Sequence, residues 1–218
     1  MTINITDGTL IPIKDEGNLM SAWNISFFGA IAMLIILPLI SPDPYLRILS
    51  FVPDGLIATF SVTVISIFFA LIIGLFAGLG RISQNILINR IATVYVEVIR
   101  GIPLLVQLFY IYYALGPLLQ LQGPTAAVLA MSICYGAYLA EIFRAGMQAI
   151  PRGQMEAALA LGMSRSLAMR KIIIPQTIRI VLPPIGNEFI ALLKDSSLVS
   201  ILAVSDLLRR GREFASTT

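Results

Sequence analysis

The side chains in this sequence that could do chemistry are charged groups set inside long apolar stretches. Lys194, Asp195 and Ser196 follow one another in one such stretch. An ionisable group surrounded by hydrocarbon is costly, so it usually faces a cavity or pairs with a neighbour. These residues are therefore candidates for lining a polar path or for closing a gate, and inert pairing is the alternative.

Two acid–base pairs are spaced for contact on a helical face. Glu97 and Arg100 are three residues apart, as are Glu141 and Arg144, and side chains at that spacing are neighbours on a helix. A local ion pair or a contact with lipid headgroups is the favoured interpretation of each pair, and lining a path is the alternative. Gln107 is a weaker candidate for the same path.

Catalytic and metal chemistry have little support in the sequence. The chain holds no histidine and one cysteine, Cys134, which lies in an apolar run. Metal centres, disulfides and histidine-based catalysis are therefore not expected. No lysine lies in a glycine-rich loop of the G-x-x-x-x-G-K-[ST] type, so any ATP that is used would be bound by another chain.

The composition is that of an integral membrane protein. Of the 218 residues, 57% are hydrophobic and 12% are charged, and the mean hydropathy is +0.88. Soluble domains carry roughly 25% charged residues. The net charge of +3 is then better explained by Lys and Arg in cytoplasmic loops than by nucleic-acid binding. The predicted fold class is all-α, with several membrane-spanning helices.

Five apolar stretches predict five spans, over 24–40, 56–79, 86–115, 124–150 and 184–204. For the first, a retained helix is favoured over a cleavable signal peptide. Gly74 and Gly78 in the second have the small-xxx-small spacing that lets helix backbones approach closely. Pro103 interrupts the third, where a kink or break is expected because proline lacks a backbone donor.

Lys and Arg between the spans predict the topology. The links at 80–90 and 144–179 are basic, whereas the link at 116–123 has no charge. Short cytoplasmic loops carry the basic excess, so the first two links are placed inside, and the N-terminus with them. Arg209, Arg210 and Arg212 then fall outside: either that segment re-enters the membrane or the rule fails locally.

The basic segment 151–175 has the pattern of two short helices joined by a sharp turn. Glu156 starts a strong helix-forming run, Gly162 suits a left-handed helix stop, and Ser164 can cap a second helix. That second helix is expected to end at Pro175. We favour a compact knob that fits another protein over an ordinary solvated loop.

This segment resembles the permease subunits of ATP-binding cassette (ABC) importers. Their cytoplasmic pattern is EAA, three residues, Gly, nine residues, then I-x-L-P. The chain has Glu156-Ala157-Ala158, Gly162, Ile172 and Ile174-Pro175, with Ile174 in place of Leu.

The resemblance extends beyond that pattern to the polar amino-acid branch, the permeases of histidine, glutamine and arginine type. The stretches that look like this branch are VEVIRGIPLLVQLFY (96–110), YGAYLAEIFRAGMQAIPRGQ (135–154) and the run over 182–216. It implies the type I permease fold of ABC importers, with 1–50 as an N-terminal extension holding one extra transmembrane helix and 51–218 as the permease core. Family members normally have one more span after this point.

The resemblance also implies partners. Two ATPase subunits would bind ATP and Mg²⁺, so this chain would be a transporter subunit with no cofactor and no catalytic site of its own. A second permease subunit, identical or related, and an extracytoplasmic amino-acid-binding protein would complete the importer. Its location would be the bacterial cytoplasmic (inner) membrane, in contact with lipid and the amino-acid substrate and without nucleic acid.

Individual residues receive roles from the same resemblance. The residues that couple the chain to the ATPase would be Gly153, Glu156, Ala157, Ala158, Gly162 and Arg165. Closure of the ATPase dimer would then switch the pathway by alternating access. Lys194 and Asp195 offer partners for the carboxylate and the ammonium of a zwitterionic amino acid. The remaining candidates for the path or its gate are Ser196, Gln107, Glu97, Arg100 and Glu141.

Two other functions are weighed against this one. A permease of the same class could carry another solute, such as a compatible solute or a phosphonate. A secondary transporter or channel would need no ATPase and should show inverted repeats, and no internal repeat is visible. A membrane enzyme is the least favoured, because no nucleophile–base or metal constellation is visible.

Overall fold

The computed structural model describes residues 22–202 and 204–217, which are helical almost throughout and contain no strand. The helices are α1 (Ala22–Ile40), α2 (Pro42–Arg81), α3 (Ile86–Gly101), α4 (Leu104–Phe109), α5 (Gly116–Leu119), α6 (Gly123–Gln148), α7 (Arg152–Ala160), α8 (Arg165–Ala168), α9 (Ile174–Asp195) and α10 (Leu207–Thr217). π-Helical turns occupy Tyr110–Leu115 and Met169–Ile173, and a 3₁₀ helix occupies Ser196–Leu202. The all-α prediction is confirmed.

The chain divides into two compact units, Met1–Ser50 and Phe51–Thr218. In the first, α1 is apolar apart from Asn24 and Ser26 near its start, and most of its large hydrophobic side chains are exposed. Asp43 has extended backbone angles (φ −99°, ψ 124°), which interrupt the helix near the start of α2. Residues 1–21, the beginning of the predicted N-terminal extension, lie outside the described residues, and the extension itself stays a prediction.

Several described helices can cross a membrane. By length and composition α1, α2 and α6 qualify, and α3 qualifies together with the segment 104–119, to which it is bent by 103°. Ile102 between them is extended (φ −107°, ψ 127°). The break expected at Pro103 is therefore confirmed, and the third stretch is a bent pair of helices rather than one straight span.

The fifth predicted span, 184–204, has the wrong bounds. α9 begins earlier, at Ile174, and its α-helix ends at Asp195, where the 3₁₀ helix takes over. By length and composition α9 is not among the described helices that qualify as spans. Polar residues such as Arg179 and Glu188 lower its hydropathy, so the apolar run that we used to locate the span missed the first turns of the helix.

The expectation that Pro175 ends the second helix of the 151–175 segment is also wrong. α8, the π-helical turn Met169–Ile173 and α9 follow one another without a break, and Pro175 lies in the first turn of α9. A proline is tolerated where its missing N–H is not required. We attribute the continuity to the π-helical turn, whose longer hydrogen-bonded repeat leaves room for the proline ring.

α6 is the central helix of the second unit, and it packs against α3, α4 and α9. α2 approaches it through glycines. A Cβ added at Gly74 would lie 2.6 Å from the Cβ of Leu139, and one at Gly78 would lie 2.8 Å from the carbonyl oxygen of Ala140. The close helix approach predicted for the two glycines is therefore confirmed.

Close contacts at two other glycines show which segments lie together at one end of this unit. A Cβ at Gly123, the first residue of α6, would lie 2.5 Å from the carbonyl oxygen of Leu202. A Cβ at Gly55 of α2 would lie 2.9 Å from the Cα of Leu207, the first residue of α10. We call this end the outer end and the opposite end of α6, which leads into α7, the inner end. If α7 is cytoplasmic, as the sequence predicts, α10 lies on the extracytoplasmic side.

The basic residues of α10 lie at the end of the unit opposite α7, which is the placement that the predicted topology requires. Arg209 pairs with Glu213 at 2.9 Å, and Arg210 pairs with Glu213 at 3.3 Å and with Asp54 at 3.7 Å. These carboxylates offset much of the local positive charge. The positive-inside rule counts Lys and Arg and gives little weight to Asp and Glu, so these ion pairs do not remove the exception.

Candidate coupling segment and polar helix faces

The turn after α7 is built around Gly162, which has a φ of +81°. The N–H of Met163 donates to the carbonyl of Ala158 at 3.1 Å, and the N–H of Gly162 donates to the carbonyl of Leu159 at 2.9 Å. This pair of bonds is the Schellman arrangement, in which a left-handed glycine ends a helix without strain. The predicted left-handed stop at Gly162 is confirmed.

The helix after the turn is capped by Ser164, as predicted. Its hydroxyl accepts a hydrogen bond from the N–H of Leu167 at 3.3 Å. Ala158 and Ala168 are both buried where α7 meets α8 and the π-helical turn that follows. Small side chains at these positions let the two short helices pack closely, so the segment is a compact projection at the inner end.

The candidate coupling residues divide between the surface and the interior of this projection. Those exposed are Gly153, Glu156, Ala157, Gly162 and Arg165, whereas Ala158 is buried. Leu159 and Leu161 expose 45% and 83% of their surface beside them. Apolar side chains grouped with charged ones on an exposed projection are typical of a surface that another protein covers.

Arg81, in the last turn of α2, is the centre of a charge cluster that we did not expect. Its guanidinium donates to Glu141 at 2.7 Å and to Glu97 at 3.0 Å. Glu141 also pairs with Arg144, as predicted from their spacing. The cluster joins α2, α3 and α6. The role of Arg81 was not recognisable in the sequence, because an arginine at the end of a span cannot be distinguished from an ordinary charged loop residue.

The predicted pairing of Glu97 with Arg100 is wrong. Within the described part of the chain, Glu97 is bound by Arg81. The guanidinium carbon of Arg100 lies 5.2 Å from the ring centroid of Tyr138 on α6, within range of a cation–π interaction. Arg100 lies at the end of α3, so its long side chain can reach the neighbouring helix instead of the preceding turn.

The polar residues at the end of α9 do not form one cluster, because each has its own surroundings. The hydroxyl of Tyr135 donates to Asp195 Oδ2 at 2.7 Å. Ser196 is buried, and its hydroxyl donates to the carbonyl of Leu193 at 2.7 Å. Lys194 is exposed. Adjacent helical residues point about 100° apart, so Lys194 and Asp195 face different surroundings. Nothing in the sequence indicated that Tyr135 would bond to Asp195.

Gln107 lies at the break between α3 and α4. Its Nε2 donates to the carbonyls of Ile99 at 2.9 Å and Ile102 at 2.8 Å. Both carbonyls are near the end of α3, where helical partners run out and Pro103 supplies no N–H. Gln107 and Tyr110 also border a cavity of 390 Å³. The structure thus places Gln107 inside the fold, where it stabilises the break.

This architecture is shared with known transport proteins. Residues 70–217 match the family described as "Binding-protein-dependent transport system inner membrane component". The chain is 42% identical over 164 residues to the glutamine transport system permease protein GlnP of Escherichia coli (strain K12), across 73% of this chain and 74% of that protein. It is 39% identical over 163 residues to the L-cystine transport system permease protein TcyB of Bacillus subtilis (strain 168), across 74% and 70%.

A solved structure supports the same grouping. The chain superposes on one described as "Crystal structure of an amino acid ABC transporter with histidines" with a TM-score of 0.74 and 43% identity, over 78% of this chain and 80% of that one. The family match includes the charge cluster, the 151–175 segment and the whole of α9. The chain therefore belongs to the family of binding-protein-dependent transport system inner membrane components.

Proposed function

We propose that this chain is the permease subunit of an ATP-driven importer of amino acids. The observation that carries the proposal is the 151–175 segment, in which a nine-residue α7, a left-handed Gly162 and a capped α8 form one exposed projection. The substrate class is supported by two relatives that are permease proteins of glutamine and L-cystine transport systems.

In this role the inner end of the molecule docks on an ATPase. α7 enters a groove of the ATPase, Glu156 and Arg165 pair with charged groups there, and Leu161 covers apolar surface. The ATPase, rather than this chain, binds ATP and Mg²⁺. Two ATPase subunits act with two permease subunits, identical or related, and closure of the ATPase pair moves the helices between inward-facing and outward-facing arrangements.

The substrate moves along the polar faces of α3, α6 and α9. Asp195, held by Tyr135, attracts the ammonium of the amino acid, and the exposed Lys194 attracts its carboxylate. Ser196 and Gln107 are buried behind this route, where they bond to backbone carbonyls and support it, and the charges of Glu97, Arg100 and Glu141 lie nearer the inner end. An extracytoplasmic binding protein delivers the substrate at the outer end.

The test is uptake by the complete importer, purified with its ATPase and binding protein and reconstituted in proteoliposomes. Labelled L-glutamine, L-cystine and L-histidine form the substrate panel. We expect uptake of at least one of them that depends on ATP and on the binding protein. Uptake driven by an ion gradient without ATP, or a chain that associates with no ATPase, would contradict the proposal.

Charge reversal at the docking surface tests the coupling role. Glu156→Lys should leave binding of the loaded binding protein intact but reduce uptake per ATP hydrolysed, because the projection no longer fits its groove. Asp43→Lys, an equal charge change outside the second unit, is the matched control and should transport normally. Normal transport by both variants would remove Glu156 from the coupling surface.

A further inference from the structure

A pocket of 480 Å³ lies at the outer end of the second unit. Its walls come from Thr59 of α2, from Ser196 and Ser197 at the end of α9, and from one face of α10. Its volume is within the range of small-ligand pockets, which is roughly 300–1,000 Å³. None of the roles described so far involves the α10 wall.

Asp206 gives this pocket an unsatisfied negative group. Its side chain is 2% exposed, and Oδ1 accepts the N–H of Arg209 at 3.0 Å, which caps α10. Oδ2 has no hydrogen-bond partner among the described residues. Burial raises the pKa of this carboxyl, and the backbone N–H of Arg209 opposes that effect. A buried carboxylate oxygen without a donor is costly, so a ligand that donates to it gains binding free energy.

Arg212 gives the same pocket a positive group. It is exposed and, among the described residues, forms no ion pair, whereas Arg209 and Arg210 are held by carboxylates. Helical side chains lean toward the N-terminus of their helix, so Arg212 extends back along α10 toward Asp206. Gly211 and Ala215 on this wall are small, and they leave the space that a ligand needs.

We propose that this pocket is an outer binding subsite for the backbone of the amino acid, in which Asp206 receives the ammonium and Arg212 the carboxylate. The inference rests on the proposed function. It gives the substrate a first position on the side where the binding protein releases it, before it reaches Asp195. The ammonium and the carboxylate are common to all α-amino acids. The subsite therefore selects amino acids as a class and does not discriminate between their side chains.

The test is direct binding to the purified permease–ATPase complex without the binding protein. Equilibrium dialysis would use the labelled amino acid of the panel that the wild-type importer takes up, with its N-acetyl and α-amide derivatives as competitors. Asp206→Asn keeps the cap on α10 but removes the charge. We expect it to weaken binding of the free amino acid by at least about tenfold and to leave binding of the N-acetyl derivative unchanged.

Arg212→Gln should give the complementary result, with weaker binding of the free amino acid and unchanged binding of the α-amide. Arg209→Gln removes the same charge from the same helix without touching the pocket, and it should bind all three compounds as the wild type does. If Asp206→Asn and Arg212→Gln bind the free amino acid with wild-type affinity, or weaken all three compounds equally, the subsite is overturned. ATP-driven uptake by those variants would leave the proposed function standing.

Discussion

At the residue scale, the hydroxyl of Tyr135 orients the carboxylate of Asp195. Tyr135 donates to Asp195 Oδ2 at 2.7 Å, and a hydrogen bond to a charged group contributes about 1.5–3 kcal/mol. Tyr135→Phe keeps the ring and removes that bond. We expect the substrate concentration for half-maximal uptake to rise severalfold while ATPase assembly stays normal.

The matched control for this change is Tyr138→Phe, which keeps the ring beside Arg100 and removes a hydroxyl that does not contact Asp195. Uptake kinetics of both variants would be measured in proteoliposomes, and their thermal unfolding would be measured in the same detergent. If Tyr135→Phe changes the unfolding temperature but not the uptake kinetics, the bond is structural and has no part in transport.

The left-handed Gly162 makes a second residue-scale prediction. Gly162→Ala places a Cβ in a conformation that costs roughly 1–2 kcal/mol for an L-residue, whereas Asn adopts it more readily. We therefore expect Gly162→Ala to reduce coupled uptake strongly and Gly162→Asn to reduce it less. Uptake and ATP hydrolysis measured together would check the order, and equal effects would show that the turn geometry is not what matters.

Single residues also show what sequence could and could not predict. Gly162, Ser164 and the Glu141–Arg144 pair were predictable because each depends on a local conformation or on a spacing within one helix. The roles of Arg81, Tyr135 and Gln107 depend on which helices meet, and spacing along the chain carries no information about that. Glu97 was assigned to the wrong partner for the same reason: a local partner was visible and the better distant one was not.

At the scale of elements, the packing of α2 on α6 depends on glycine. Gly74→Ala would bring a Cβ to 2.6 Å from Leu139, so the helices must separate. We expect thermal unfolding of the purified protein at a clearly lower temperature, as overpacking costs typically about 1–3 kcal/mol.

Gly186 of α9 is the matched control for this helix contact, because among the described residues a Cβ added there meets nothing within 4 Å beyond its own helical backbone. Gly186→Ala should keep or slightly raise the unfolding temperature, since alanine is favoured over glycine in a helix by roughly 0.5–1 kcal/mol. Equal stability of the two variants would mean that α2 and α6 are not in such close contact.

Helix bounds were predictable where hydropathy and helix length coincide, as in α1 and α6. They were not predictable for α9, because polar residues inside it hide its first turns and because Pro175 usually signals an end. The π-helical turn that carries the helix across Pro175 has no signature in composition. Its existence depends on the packing of the whole 151–175 segment.

At the scale of the whole second unit, the Arg81 cluster joins α2, α3 and α6 near the inner end. The Arg81 side chain is 14% exposed, and its removal takes one donor from Glu141, which keeps Arg144, and takes Arg81 away from Glu97. Arg81→Gln should destabilise the protein by about 1–3 kcal/mol, as measured by denaturation in detergent.

A double-mutant cycle isolates this interaction. Arg81→Gln combined with Glu141→Gln should cost less than the sum of the two single changes, because each single change already removes the shared pair. Additive effects would mean that the two side chains act independently and that the cluster does not tie the helices together.

The exposed Leu161 has a consequence for how the cell handles this subunit. In a complex it would be covered, but a newly inserted chain without its partner displays this leucine and Leu159 to the aqueous phase. Exposed apolar surface without its partner is an aggregation liability, and chaperones and proteases act on such molecules. We therefore expect the chain to be degraded faster when it is produced without its ATPase, so that partner supply sets its abundance. Pulse-chase measurements of Leu161→Ser against the wild type, each with and without the ATPase, would show whether that leucine is the signal.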